Sequence, residues 1–183
     1  ASASRCSRIG QRDARLPCMG STTEALIQVM LRATQTAGGA MQDVTQGFIR
    51  AVAELGRVAE RLDRKQIGAF IAAIAEAKRV FLIGAGREGL STRAFTMRLM
   101  HLGKEAHWIW DDTTPGIGAG DLLIATSGSG SIGHIDYVFD QAVAAGADTA
   151  VVTGDPSGVT AKKAKTLLFL PAAVYKGEAE VVP

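Results

Sequence analysis

Apolar residues recur at helical spacing over the first third of the chain. Leu26, Met30 and Ala33 share one face, as do Phe48, Val52, Leu55 and Ala59, which predicts two helices between Thr22 and Arg61. The break falls at Gly38 and Gly39, each of which costs a helix interior about 1 kcal/mol relative to Ala. A further helix is predicted from the N-cap Asp63 through Ile67, Phe70, Ile71 and Ile74 to Ala77. Beyond it the pattern changes to short apolar runs separated by helical stretches. Arg79 to Ile83, Ala106 to Trp110, Asp121 to Thr126, Ala150 to Thr153 and Leu167 to Leu170 read as five strands. Helical patterns follow Gly86 (Leu90, Ala94, Met97, Leu99, Met100) and span Ile135 to Ala144 and Thr160 to Lys165. Strands alternating with helices imply a parallel sheet covered on both faces, hence an α/β fold preceded by N-terminal helices.

Two connections in this pattern are rich in glycine. Gly84-Ala85-Gly86-Arg87-Glu88-Gly89 joins the first strand to a helix, and Ser127-Gly128-Ser129-Gly130-Ser131 follows the third strand. In a doubly wound sheet, ligands sit beyond the carboxyl ends of the strands, where loop amides and helix N-termini point at anions. Gly86, Arg87 and Glu88 from the first loop and Ser127, Gly128, Ser129, Gly130 and Ser131 from the second are therefore candidate binding residues for one phosphorylated ligand. A plain strand-to-helix turn is the alternative for the first loop, and a flexible linker for the second. The literal G-x-G-x-x-G of the first loop also fits a dinucleotide-binding fingerprint, with Asp111 or Asp112 as the ribose-binding acid. A nicotinamide-dependent oxidoreductase thus competes with a phosphosugar protein, although it gives the serine-rich loop no task.

Length and charge narrow the class. The chain has 183 residues, enough for one substantial core, with 20 basic and 18 acidic residues spread along it for a net charge of +2. No basic patch argues for nucleic acid, and no apolar run approaches the roughly 20 residues that span a bilayer. A cytoplasmic location is expected. Cys6 and Cys18 both lie in an Arg- and Ser-rich leader, residues 1–20, which reads as non-native or disordered; residues 21–183 read as one domain. Trp108, Trp110 and Phe95 read as core or interface residues.

The stretch from Val80 to Pro171 resembles the SIS (sugar isomerase) domain, and within it the 6-phospho-3-hexuloisomerases. The residues that carry the resemblance are Ile83-Gly84-Ala85-Gly86-Arg87, Ala94-Phe95-Thr96-Met97-Arg98-Leu99-Met100-His101-Leu102-Gly103, Thr113-Thr114-Pro115, Gly120-Asp121-Leu122-Leu123-Ile124 and Ser127-Gly128-Ser129-Gly130. The resemblance implies a three-layer α/β/α sandwich with a five-stranded parallel sheet, assembled as a homodimer or homotetramer. It also implies interconversion of 3-hexulose 6-phosphate and fructose 6-phosphate through an enediol, within the ribulose monophosphate pathway, with no metal or organic cofactor. His101 matches the family's histidine and is the candidate catalytic residue, since imidazole exchanges protons near neutrality. Without the family match, His101 would read as a helix-terminal cap.

Three departures from the family pattern bear on function. Glu88 stands where the family commonly has Ser, replacing a phosphate-compatible hydroxyl by an anion. Ile132 removes an expected hydroxyl after Ser131, and His134 lies just beyond it. Family members continue past the fifth strand into a Gly-Ser/Thr-x-Phe-Glu segment whose glutamate is the proposed base; the sequence ends at Pro183, and neither Glu178 nor Glu180 sits in that motif. The C-terminal part of the family fold is thus expected to be absent. A non-catalytic phosphosugar-binding module is the corresponding alternative to an isomerase.

Overall fold

The computed structural model describes residues 44–174. The predicted leader, the first of the two N-terminal helices with its glycine break, and Glu178 and Glu180 lie outside the described residues. Ten elements follow in order: α1 (Val44–Glu60), α2 (Arg64–Glu76), β1 (Val80–Gly84), α3 (Gly86–His101), β2 (Ala106–Trp108), β3 (Leu122–Thr126), α4 (Gly133–Ala144), β4 (Asp148–Thr153), α5 (Val159–Lys163) and β5 (Thr166–Phe169). The element order matches the sequence reading, with boundaries shifted by one or two residues. At β2 the expected strand to Trp110 ends at Trp108 and turns.

The five strands form one sheet in the order β2-β1-β3-β4-β5, and all neighbouring pairs are parallel. Every residue of β1 is buried, which explains why the strand reads as a continuous apolar run rather than an alternating one. Alternate residues face opposite layers. Val80, Leu82, Leu122 and Ile124 pack with Phe70 of α2 and Leu99 of α3. Phe81, Ile83, Leu123 and Ala125 pack with Ile135 and Phe139 of α4 and Ala161 of α5. The result is the expected α/β/α sandwich. Trp108 belongs to the first of these cores.

Local chemistry fixes the ends of the helices that carry the site. The Asp63 side chain accepts a hydrogen bond from the Lys65 amide at 2.7 Å, the N-cap predicted for α2. At the far end of α3, Gly103 adopts φ of 81°. Its amide donates to Met100 at 2.9 Å while the Lys104 amide donates to Leu99 at 3.0 Å, a Schellman closure of the helix. Lys104 then donates its Nζ to the carbonyls of Ala75 and Ala77, joining the C-terminal ends of α2 and α3.

The amino-terminal edge of the sheet is locked by charge. Arg79 grips buried Asp121 through Nε at 3.0 Å and a terminal nitrogen at 2.6 Å, and the Gly118 amide donates to the same carboxylate at 2.9 Å. These hydrogen bonds, the one from Arg79 foremost, hold the Asp121 carboxyl below the usual carboxylate range. The pair fastens the start of β1 to the start of β3. It leaves the opposite, carboxyl-terminal edge of these two central strands open.

Candidate functional site

The strand order reverses direction at β1 and β3: the chain moves outward to β2 from one and outward to β4 and β5 from the other. Such a switch point leaves a crevice beyond the strand ends, because the two connecting helices depart on opposite faces. Gly84 and Thr126, the last residues of these strands, are direct partners in the ladder. The two glycine-rich loops therefore begin side by side.

The first loop is a tight turn set by close backbone approach. A Cβ on Gly84 would collide with Thr126 Oγ1 and lie 3.0 Å from Gly89 Cα, and a Cβ on Gly89 would lie 2.8 Å from the Gly84 carbonyl oxygen. Gly86 has φ of 54°, a left-handed conformation that favours glycine. The helix ladder starts with the Gly89 amide donating to Ala85 at 2.9 Å. The amides of Gly86, Arg87 and Glu88 consequently have no partner within the helix. Thr92 ties this turn to β3: its hydroxyl lies 2.6 Å from Thr126 Oγ1 and donates to the Glu88 carbonyl at 2.7 Å.

The second loop is braced from beneath. Ser127 donates its amide to Val152 at 3.0 Å, and the Gly128 carbonyl accepts from Gly154 at 3.1 Å and from the Thr153 hydroxyl at 3.3 Å. Gly130, with φ of 63°, presses against Gly158 at the entrance to α5, and its carbonyl accepts from the Thr160 amide at 2.9 Å. Asp155 shapes the supporting turn by accepting from the amide and hydroxyl of Ser157, at 2.8 and 2.6 Å, which holds its carboxyl below the usual range. Among the described residues the amides of Gly128 and Ser129 have no backbone acceptor.

A cleft of about 800 Å³ opens beside the two loops on the α2 and α3 face of the sheet. It brings together Gly86, Arg87 and Glu88 from the first turn with Ser127 and Gly128 from the second. Thr92, Thr126 and Thr153 add hydroxyls, and Phe70, Phe95, Ile124, Val152 and Leu170 supply apolar walls. The Ser127 side chain is fully buried at this junction, and its Oγ has no hydrogen-bond partner among the described residues. Such an orphan is uncommon in a folded interior, where polar atoms are almost always paired. Ser129, Gly130 and Ser131 do not line the cleft. The Ser129 hydroxyl instead donates to the Ser131 carbonyl at 3.2 Å, closing the loop on itself.

Glu88 does not turn away. A Cβ placed on Gly128 would lie 2.5 Å from Glu88 Oε1, so the carboxylate stands directly over the second loop. The resemblance marks Glu88 as a departure from the family pattern but carries no sign of this placement, which follows from the pairing of Gly84 with Thr126. The threonines of the cleft, and Phe95, lie outside the sequence-based site because single Thr residues at strand ends and single Thr and Phe residues on a helix read as ordinary packing.

His101 is exposed and lies at the opposite end of α3 from Gly86. With 16 residues in the helix and a rise of about 1.5 Å per residue, the two ends are about 22 Å apart. Within one chain the structure does not bring His101 to the loops. Ile132 lines the cleft. Exposed His134 instead meets the Trp110 ring, with centroids 6.0 Å apart, on the other side of the sheet edge. Trp110 is half-exposed there rather than part of the core. Asp111 is engaged by Arg93 at 3.2 Å, which weakens the ribose-binding role that a nicotinamide enzyme would require.

Comparison with known proteins bears on the choice between these readings. A 3-hexulose-6-phosphate isomerase of Mycobacterium gastri is 38% identical over 131 residues, which cover 72% of this chain and 66% of the relative. A protein of Archaeoglobus fulgidus without an assigned function is 32% identical over 136 residues, 74% of each chain. A solved structure from Methanococcus jannaschii, described as inferring a molecular function of 3-hexulose-6-phosphate isomerase, superposes with a TM-score of 0.58 at 31% identity, over 62% of this chain and 63% of that one. The chain belongs to the sugar isomerase (SIS) domain family, and within it is similar to the 6-phospho-3-hexuloisomerases. No family model matches the chain, and the SIS chain spans just under two thirds of the length of the M. gastri relative. Among the described residues of the SIS chain, no helix is long and apolar enough to cross a membrane.

Proposed function

We propose that the cleft binds a phosphorylated sugar and that the chain interconverts 3-hexulose 6-phosphate and fructose 6-phosphate. The observation that carries this reading is the shared crevice at the switch point, where helix-start amides without a helical partner, the Gly128 amide without a backbone acceptor and the unpartnered Ser127 hydroxyl adjoin one cleft. Neutral donors of this kind fix a phosphate without competing counter-ions, while a helix N-terminus favours its charge. The apolar walls suit the carbon face of an extended ketose. Kinship with the isomerases of M. gastri and M. jannaschii supports the same substrate class.

The reaction moves a carbonyl between C2 and C3. A base removes the proton from C3 of fructose 6-phosphate, the C2 carbonyl oxygen takes up a proton as the enediol forms across C2 and C3, and a proton returns at C2 while the C3 hydroxyl gives up its own. His101 takes part in this proton traffic only if a second copy delivers it, since its own loops lie at the other end of α3. Assembly into a homo-oligomer is part of the proposal. Phe48, Ile49, Val52 and Leu55 of α1 are each more than half exposed, an apolar surface suited to a second copy.

The test is to incubate the protein with fructose 6-phosphate and follow formation of the 3-hexulose isomer. Conversion is expected. One observation favours a second reading, a phosphosugar-binding module without turnover: the Glu88 carboxylate over Gly128, which alters the charge of the corner. Thermal stabilisation by fructose 6-phosphate with no conversion would select that reading, and stabilisation by no phosphosugar would defeat both.

A further inference from the structure

We propose that Glu88 makes this cleft select the singly protonated form of the ligand's phosphate, by accepting a hydrogen bond from the phosphate's remaining O–H. The proposal rests on the phosphosugar reading of the site. Glu88 lies in the first turn of α3, and a Cβ placed on Gly128 would be 2.5 Å from its Oε1. The same corner holds the α3 amides that have no helical partner. It also holds the fully buried Ser127 hydroxyl, which has no hydrogen-bond partner among the described residues. An anion drawn to those donors therefore arrives beside a carboxylate.

The surroundings leave that carboxylate uncommitted. Among the described residues Glu88 forms no salt bridge. Arg87 is the other charged residue of the cleft lining, and adjacent residues of a helix do not face each other, so the two do not pair directly. The facing elements bring no further charge: the β3–α4 loop supplies Ser127 and Gly128, the end of β4 Thr153 and Gly154, α2 Phe70, and the chain after β5 closes the wall with Val174. One guanidinium cannot neutralise both Glu88 and a phosphate dianion.

Two acidic groups pressed together retain a proton that each would give up alone, and that proton belongs to the pair. A phosphate monoester loses its second proton at about pH 6, so it carries that proton at little cost near neutrality. In the monoanion one oxygen is an O–H donor, which matches a carboxylate that only accepts. The other oxygens remain to accept from the loop amides and the Ser127 hydroxyl. The dianion instead sets acceptor against acceptor. A serine hydroxyl can donate to either form, so the resemblance does not foresee the selection; it comes from Glu88 in the place of the family's serine. The complex then holds one proton more than the separated partners at neutral and alkaline pH, so affinity is full below about pH 6 and falls about tenfold for each pH unit above it. A sulfate ester, singly charged and without a proton to give, is refused.

Isothermal titration of the whole chain with fructose 6-phosphate and with fructose 6-sulfate, at about pH 6 and about pH 8, tests the proposal on wild type and Glu88→Gln. Wild type is expected to bind the phosphate ester at least about tenfold more weakly at the higher pH, and the sulfate ester at least about tenfold more weakly than Glu88→Gln does. Glu88→Gln, whose amide can donate, is expected to change by less than about threefold between the two pH values. Histidines elsewhere in the chain are common to both proteins, so the comparison removes their contribution, and a melting curve for each checks that it is folded. Equal pH slopes in the two proteins overturn the shared proton, as does a wild type that takes the sulfate ester as tightly as Glu88→Gln does. Binding of the phosphate ester by Glu88→Gln with none by wild type at either pH reduces Glu88 to a simple excluder and also overturns it. No binding of the phosphate ester by either protein removes the phosphosugar reading itself.

Discussion

Gly158→Ala adds one methyl group to the turn that supports the serine-rich loop. The new Cβ would sit 2.5 Å from Gly130 Cα and closer still to the carbonyl carbon and oxygen of Gly130. These are backbone atoms, so no rotamer change relieves the clash, and the loop must retreat by about 1 Å to reach ordinary contact. Overpacking of this kind costs about 1–3 kcal/mol. The retreat also pulls the Gly130 carbonyl from the Thr160 amide, now at 2.9 Å, and losing one such hydrogen bond adds about 1 kcal/mol. The expected destabilisation is about 2–4 kcal/mol. For a chain of this size it lowers Tm by roughly 4–16 °C. Calorimetry on Gly158→Ala beside Gly68→Ala reads the difference, because an added Cβ at Gly68 meets no atom within 4 Å in the exposed interior of α2. Gly68→Ala should stabilise by about 0.5–1 kcal/mol. A Gly158→Ala protein melting with the parent would refute the idea that the second loop is pressed onto the β4–α5 turn, and with it the rigid cradle.

Three further outcomes are expected. The Arg79 contacts lower the Asp121 carboxyl in the folded chain, so its stabilisation is full above the unfolded value near 4 and is lost as pH falls through the lower folded value; Asp121→Asn should lower Tm at pH 7 and flatten its acid dependence, and an unchanged acid slope would exclude this pair as its source. Ser127→Ala removes a buried hydroxyl without a partner, so the ligand-free protein should melt unchanged or up to about 1 kcal/mol more stable while fructose 6-phosphate affinity falls about tenfold; undiminished affinity would place the phosphate elsewhere. If His101 acts from a second copy, specific activity should fall on dilution as light scattering reports dissociation, whereas full activity in a dissociated chain would assign the proton transfer to residues of a single copy.

Much of the architecture was legible because the chain announces it twice, in apolar period and in turn chemistry. The β1 run reads as strand, its burial on both faces explains its lack of alternation, and Asp63 and Gly103 mark helix ends through capping bonds that depend on residue type. β2 was read two residues too long because Ile109 and Trp110 look apolar. In the fold, Ile109 packs against the α4 core while Trp110 turns outward onto His134. The site was legible as two loops, and the pairing of Gly84 with Thr126 puts them together. Which part of each loop faces the cleft was hidden. Ser129 and Ser131 look as suitable as Ser127 in sequence, yet the turn closes their hydrogen bonds on itself and leaves only Ser127 and Gly128 on the wall.

The run from Met97 to Gly103 shows why a motif can mark a family and still misplace a function. Part of its pattern is structural: Leu99 is buried against the sheet, and Gly103 closes the helix with a left-handed residue that few others adopt. Those constraints would hold the run in place with no chemistry at His101. The exposed His101 side chain satisfies no bond within the described residues, so packing gives it no task, and it stands about a helix length from the cleft its own chain forms. An acid–base group in that position becomes useful only where the end of one α3 meets the start of another. On the proposed reading the same helix would serve two sites, offering anion-binding amides at Gly86 to its own cleft and an imidazole at His101 to a neighbour's, so that the proposed binding would belong to the single chain and the proposed proton transfer to an assembly.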